Sequence, residues 1–560
     1  MIMFCVVSTK AILVRAKRRF LCLIEMPHAF FVLIFILSGF ICYWSTLKTF
    51  FLSDDFDLIF RVSKQGPFGI WSWRSWNFFR PLTSLNLWCN LKLCGLNPTG
   101  YHLLNLLFHF SNSLLVSVIV LLFASESKVS KFYKRALFYL SGLVFLLLPC
   151  HTETVSWIAC RADLSATFFI LFSFCMYLLY KVYNKKLCIA ASLLLFFCAL
   201  MSKESVITYP LLIFFYEIYY CLFHKKRNSR ILRSLCLTLL YMSILGIYLL
   251  FRRMALGTLI GGYGQEIHLN FDLGLIFRNF IIYSTRVFLP PMPNSDFNFW
   301  IFTACGLGGI YLICFASCYF RGYPYRNILK ILLFCVAGFI ILLIPVNNLG
   351  VSTGDTQGER FLYLPSVFAS IYISFMIIFT VANRRAILIL STLIILFFGA
   401  CCSYLNRNRV SASKIARNIL IDLEKLKGAS RIFILNLPDN FNGAYVYRNG
   451  FYPAIQYFMP SIKGGINPNK VRIISRHNVF KENDEIALTK VGLGDYHFKL
   501  LNPEASFVGQ RIPVGGVLSN TEYAISGIKN NEYRIMFKDL KPNDAKVFYS
   551  QGSLVNCDSF

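Results

Sequence analysis

Three carboxylates, Asp54, Asp55 and Asp57, stand directly after the first strongly apolar run of this chain, which covers about residues 29–51. A run of that length can cross a bilayer, so the acids sit where the chain leaves the hydrocarbon. Carboxylates at such an edge lose hydration and their pKa rises, which suits general-base work. A polar collar on a helix entrance uses the same residue types, and the triplet alone does not separate the two readings. Cations follow at intervals. Arg80 precedes Pro81, which holds its backbone away from helix, although a snorkelling arginine would look the same. His151-Thr-Glu153 leads to Arg161-Ala-Asp163, and later come Lys203-Glu204 and Glu359-Arg360. One histidine and two acids make a thin ligand set, so no metal or other cofactor is expected, with a divalent ion left open. The guanidinium fork of Arg161 suits phosphate oxygens better, and Arg80, Lys203 and Arg360 could add to it. His102 and His109 lie seven residues apart on one helical face with Asn105 and Asn112; polar glue between helices and substrate binding both fit that stripe.

The elements that must position these groups are membrane helices. The chain has 560 residues, of which 56% are hydrophobic and only 15% charged, with 56 phenylalanines and a mean hydropathy of +0.57. An ordinary soluble domain carries about 25% charged residues. Apolar stretches predict eleven spans near 29–50, 101–124, 136–149, 165–181, 187–201, 206–223, 234–251, 299–319, 328–346, 362–382 and 386–405. The segment 272–290 carries Arg278 and Arg286 and reads as a re-entrant or interfacial helix. The formal net charge of +29 gathers in alternate short loops, as the positive-inside rule requires. It is therefore topological, and a nucleic-acid partner is excluded. The acids and candidate cations then share the outer face, where Trp71, Trp73 and Trp76 fit a helix lying in the interface. Eighteen of the 19 cysteines precede Ser403 and behave as small hydrophobes; Cys150 and Cys160 flank one outward loop and could pair. The first apolar run is too long for a cleaved signal.

Beyond about Arg407 hydrophobicity falls. Residues 411–427 read as a helix, 431–435 as a buried strand, and 470–475, 532–537 and 546–549 as further strands between Gly, Pro and Asn turns. The organisation expected is a basic cytoplasmic N-terminus at 1–28, a helical membrane unit at 29–406, and an extracytoplasmic α+β domain at 407–560.

The ordered motifs carry a resemblance. Ser53-Asp-Asp-Phe-Asp57, Phe79-Arg-Pro-Leu-Thr83 and Gly95-Leu-Asn-Pro-Thr-Gly-Tyr-His-Leu-Leu-Asn105 resemble the first lumenal loop of the TMTC-type O-mannosyltransferases. Pro149-Cys-His-Thr-Glu-Thr-Val155 with Cys160-Arg-Ala-Asp-Leu164 is similar to their second, and Met201-Ser-Lys-Glu204 and Glu359-Arg-Phe-Leu-Tyr-Leu-Pro365 complete the set. The resemblance covers about residues 40–405 and implies a GT-C polytopic fold. It implies transfer of a sugar, mannose in that family, from a polyprenyl-phosphate carrier to a hydroxyl of a protein, lipid or glycan acceptor. It also assigns roles. Asp54 becomes the base with Asp55 beside it, Arg161, Arg80, Lys203 and Arg360 meet the donor phosphate, and His102, His151, Glu153, Asp163 and Glu359 contact substrate. The chain departs from the family after residue 406, where tetratricopeptide repeats are replaced by the mixed domain. Sequons for N-glycosylation are absent from the chain, which favours a bacterial plasma membrane over the endoplasmic reticulum. A transporter or lipid-linked-sugar flippase is the rival class; it predicts midplane polar residues and inverted repeats.

Overall fold

In a computed structural model the described residues are 28–559 apart from 67–77, 126–129, 224–227, 260–271, 321–324, 382, 460–464, 509–514 and 530. The basic N-terminus up to residue 27 and the tryptophans at 71, 73 and 76 lie outside them. Every apolar stretch read from the sequence is helical. The first is α1, His28–Tyr43, extended by a 3-10 turn Trp44–Lys48; α2, Asp54–Gln65, and α3, Pro81–Cys94, follow outside the bundle. Next come α4, Pro98–Ser125, α5, Lys131–Leu147, the short α6, Thr152–Ser156, α7, Arg161–Tyr183, and α8, Lys186–Leu200. Then follow α9, Tyr209–Phe223, α10, Asn228–Leu256, α11, Leu273–Arg286, α12, Phe297–Phe320, α13, Tyr325–Leu343, α14, Ser366–Thr380, and α15, Arg384–Lys425.

Among the described residues six helices are long and apolar enough to cross a membrane, or up to seven if one bent pair counts as a single span. This is a helical, multi-pass membrane protein. The count differs from eleven because helices such as α8 and α14 have only 15 residues, below the roughly 20 that a perpendicular crossing needs. Residues 272–290, expected as a re-entrant or interfacial element, form the 14-residue α11.

Breaks in the helices shape the end of the bundle that carries the polar residues. Pro149 lacks an N–H and ends α5, and the chain turns by 55° into the segment Pro149–Ser156. That turn carries Glu153 and Trp157 inward. Pro81 opens α3 at the first helical position, where its missing donor costs nothing.

The last helix runs through the expected boundary at 406/407. α15 runs through 42 residues without interruption, about 63 Å at the usual rise, because residues 400–427 contain neither Gly nor Pro. Its first half is apolar; its second half is amphipathic, burying Ala412, Ile415, Ala416, Ile419 and Leu423. These join Ile432, Ile434 and Leu437 in the core of the C-terminal region. That region is mixed α and β. A four-stranded sheet runs in the order Ser553–Asn556, Ala545–Ser550, Ile432–Ile434, Val471–Ile473, and Ile432–Ile434 pairs in parallel with both its neighbours. A five-stranded antiparallel sheet and a three-stranded sheet complete it. Strands at 471–473, 532–537 and 545–550 lie where alternation in the sequence puts them.

Candidate functional site

The helix α2 begins at the acidic triplet, and its entry is strained. Ser53 before it adopts φ 45°, a region a non-glycine residue rarely occupies and which clusters at functional sites. The C-terminal region holds it there. Ser53 N donates to Val446 O at 2.8 Å, Asn449 N donates to Ser53 Oγ at 3.2 Å, and Gly450 packs directly on Ser53 O. Asp54 is thereby presented to a cavity of about 330 Å³, with Asn449 Nδ2 donating to its Oδ1 at 2.7 Å.

Asp55 points the other way. Its two oxygens accept from Leu52 N at 3.0 Å and Ala159 N at 2.7 Å, tying the α2 entry to the loop after α6. Burial pushes its carboxyl up to about 8 against those two donors. Asp57 pairs with Arg61 one turn on, a helix-surface contact. The acidic triplet thus divides into one cavity residue, one strut and one surface residue.

Around the cavity stand Arg80, Asp163, Lys203 and Arg360, four of the positions singled out in the sequence. Each cation is set by a carboxylate. Arg80 Nε donates to Glu204 Oε2 at 2.9 Å, and although burial pushes Glu204 up, Arg80 overrides it and holds that carboxyl at about 2. Lys203 Nζ pairs with Asp163 at 2.5 Å. Arg360 Nη1 pairs with Glu153 at 2.7 Å, its backbone N donates to the same carboxylate, and its guanidinium lies over Trp157 and Phe361. Such backing offsets the cost of holding cations in a semi-enclosed site and fixes where their heads point.

Four of the expected site residues lie outside the cavity lining. Arg161 is fully buried away from the cavity, donating to Asn105, Asn86, Asn90 and the Tyr101 carbonyl. It joins α7 to α3 and α4. His102 is enclosed by Thr49, whose hydroxyl lies 2.9 Å from its Nε2. His151 packs between Phe145 and Tyr363 with Nε2 on Ser366 Oγ at 2.7 Å. Glu359 is wholly buried against Arg286 of α11. These three are glue between helices, as His109 is against the Tyr363 hydroxyl. Cys150 and Cys160 are both buried free thiols; Cys150 faces the Val287 carbonyl. Among the described residues no group of three His, Cys, Asp or Glu could hold a metal ion.

The sequence reading missed one wall of the cavity, formed by Tyr445, Arg448 and Asn449. Arg448 grips Asp439 through two nitrogens and lies over Tyr445. The signal was present as Tyr445-Val-Tyr-Arg-Asn-Gly450, an aromatic and polar run closing on a glycine, but it fell in a region read as a separate domain.

The human protein O-mannosyl-transferase TMTC3 is 32% identical over 196 residues, covering 32% of this chain and 20% of that protein. Human protein O-mannosyl-transferase TMTC4 is 28% identical over 353 residues, covering 53% and 46%. The chain is a distant homologue of the TMTC protein O-mannosyltransferases. It spans between about a fifth and a half of the length of these TMTC relatives. No family model matches it. A solved structure, ArnT from Cupriavidus metallidurans in the apo state, superposes over 73% of this chain and 83% of its own with 12% identity and a TM-score of 0.31.

Proposed function

We propose that this protein is a GT-C-like membrane glycosyltransferase that moves a sugar from a polyprenyl-phosphate carrier to an acceptor hydroxyl on the outer face of the membrane. The observation that carries the reading is convergence. Asp54, Arg80, Asp163, Lys203 and Arg360, from well-separated stretches of the chain, line one cavity. Distant homology to proteins named O-mannosyl-transferases supports the reaction class.

In this reading Asp54 takes the proton of the acceptor hydroxyl while its oxygen attacks the anomeric carbon. The bond from that carbon to the phosphate oxygen breaks, and the polyprenyl phosphate departs with the electron pair. Phosphate is already a stable leaving group, so fixed donors at its oxygens matter more than a general acid. Arg80, Lys203, Arg360 and Arg448 supply them. A single carboxylate base is enough for an inverting displacement, unlike the paired carboxylates of glycoside hydrolysis.

The carrier tail has a matching path. An apolar groove of about 580 Å³ lies between α9 and α10, lined by Ile207, Pro210, Leu211, Phe214, Leu239 and Met242 among others. It begins three residues after Glu204, the partner of Arg80. Each buried CH₂ of a lipid tail there contributes about 0.8 kcal/mol. The topology that goes with this reading puts the C-terminal region outside, where its Tyr445–Gly450 segment closes the site. A plasma membrane of bacterial type fits the absence of sequons.

The test is turnover of polyprenyl-phosphate sugars by purified protein, with Lys203→Gln and Arg360→Gln as variants. The reading expects donor KM to rise about tenfold in each, as loss of a charge-assisted contact of about 1.5 kcal/mol implies. Release of sugar from no such carrier, or variants with unchanged KM, would count against it.

A further inference from the structure

A second cavity of about 510 Å³ lies on the other side of the segment that carries Asp54. Phe50 and Phe51 line it, whereas Ser53 and Asp54 line the first; the two share no residue. Its floor is apolar, with Phe50, Phe51, Leu96, Phe458 and Met459, and its rim carries Lys48, Lys414 and Arg417. No carboxylate lines it. Lys414 has Glu482 at 3.9 Å, and among the described residues Lys48 and Arg417 have no ion-pair partner.

Its place in the fold is informative. Lys48 ends the first candidate span, and Lys414 and Arg417 lie just past the apolar half of α15. At 100° per residue Arg407, Val410, Lys414 and Arg417 share one face of that helix. A row of basic residues immediately beyond the hydrocarbon, above an apolar pocket, matches the two halves of an anionic lipid. The Phe50 amide donates to Ser413 Oγ at 2.6 Å, so this cavity is joined to the stretch leading to Asp54.

We propose that this cavity binds the headgroup of an anionic phospholipid, its phosphate between Lys48, Lys414 and Arg417 and its first acyl carbons on Phe50, Phe51, Phe458 and Met459. The site is independent of the transfer reaction. Its occupant braces the wall between the two cavities from the side opposite the chemistry.

Calorimetric titration of the purified full chain with dihexanoyl phosphatidylglycerol tests it, with dihexanoyl phosphatidylcholine and inorganic phosphate as comparison probes. Phosphatidylglycerol should bind at least tenfold more tightly than either. The triple variant K48Q/K414Q/R417Q should weaken it by roughly fivefold per charge, about 100-fold in all. All three side chains are exposed, so the variant should keep the wild-type melting profile. Should it not fold, Arg417→Gln alone reads the same claim as a loss of about fivefold. Equal affinity for phosphatidylcholine, an unchanged variant, or inorganic phosphate binding as tightly as the lipid would each overturn the proposal.

Discussion

Gly450 offers the sharpest test of the idea that the C-terminal region sets the base. Its φ is +74°, and a Cβ built there would lie 2.3 Å from Ser53 O and 3.0 Å from Phe56 Cβ. Ordinary contact begins at about 3.4 Å, so Gly450→Ala must push the two segments apart by roughly 1 Å. The left-handed backbone adds about 1–2 kcal/mol for a residue with a Cβ. Relief comes from moving Ser53, the residue before Asp54, or Asn449, which holds the Asp54 carboxylate. A 1 Å misplacement of a reacting group costs about 100-fold in rate. Turnover of a polyprenyl-phosphate sugar by Gly450→Ala should therefore fall by about that factor, with a lower melting temperature. Gly428→Ala is the control, because nothing lies within 4 Å of its Cβ position and its φ is not positive. A Gly450→Ala protein that melts lower yet turns over at the wild-type rate would refute the coupling of this loop to Asp54.

Two further expectations concern residues behind the cavity. Arg161→Gln should destabilise the protein by about 3 kcal/mol or more, since it leaves buried acceptors on Asn90, Asn105 and Tyr101 unsatisfied; thermal unfolding measures this, and a stable variant with a raised donor KM would return Arg161 to the site. Asp55 keeps its proton in the fold up to about pH 8, whereas the unfolded chain releases it near pH 4. Its contribution to stability is thus full at low pH and falls as pH rises from about 4 to 8. Asp55→Asn should flatten the melting temperature across that window, and an unchanged slope would contradict the assignment.

The sequence made the polar end of the bundle legible because its polar residues stand out against apolar runs. Asp54, Arg80, Asp163, Lys203 and Arg360 were marked by position alone, and each meets the cavity. Side-chain direction was not legible in the same way. Asp54 and Asp55 are neighbours, yet a helix start sends one to the cavity and the other to backbone amides. Arg161 reads as a phosphate fork in the sequence, whereas the fold surrounds it with three asparagines from α3 and α4. Helix continuity in α15 was hidden because hydropathy drops at residue 406 while the backbone, lacking Gly and Pro, carries on. Asn449 leaves no local pattern because its contacts with Ser53 and Asp54 span nearly 400 residues.

The central claim is that Asp54 removes the acceptor's proton. Single-turnover transfer from a polyprenyl-phosphate sugar by Asp54→Asn, in protein of wild-type melting temperature and yield, measures it most directly. The account predicts a loss of about 10²–10⁴-fold in the chemical step with donor binding retained. Transfer at the wild-type rate by Asp54→Asn would contradict it.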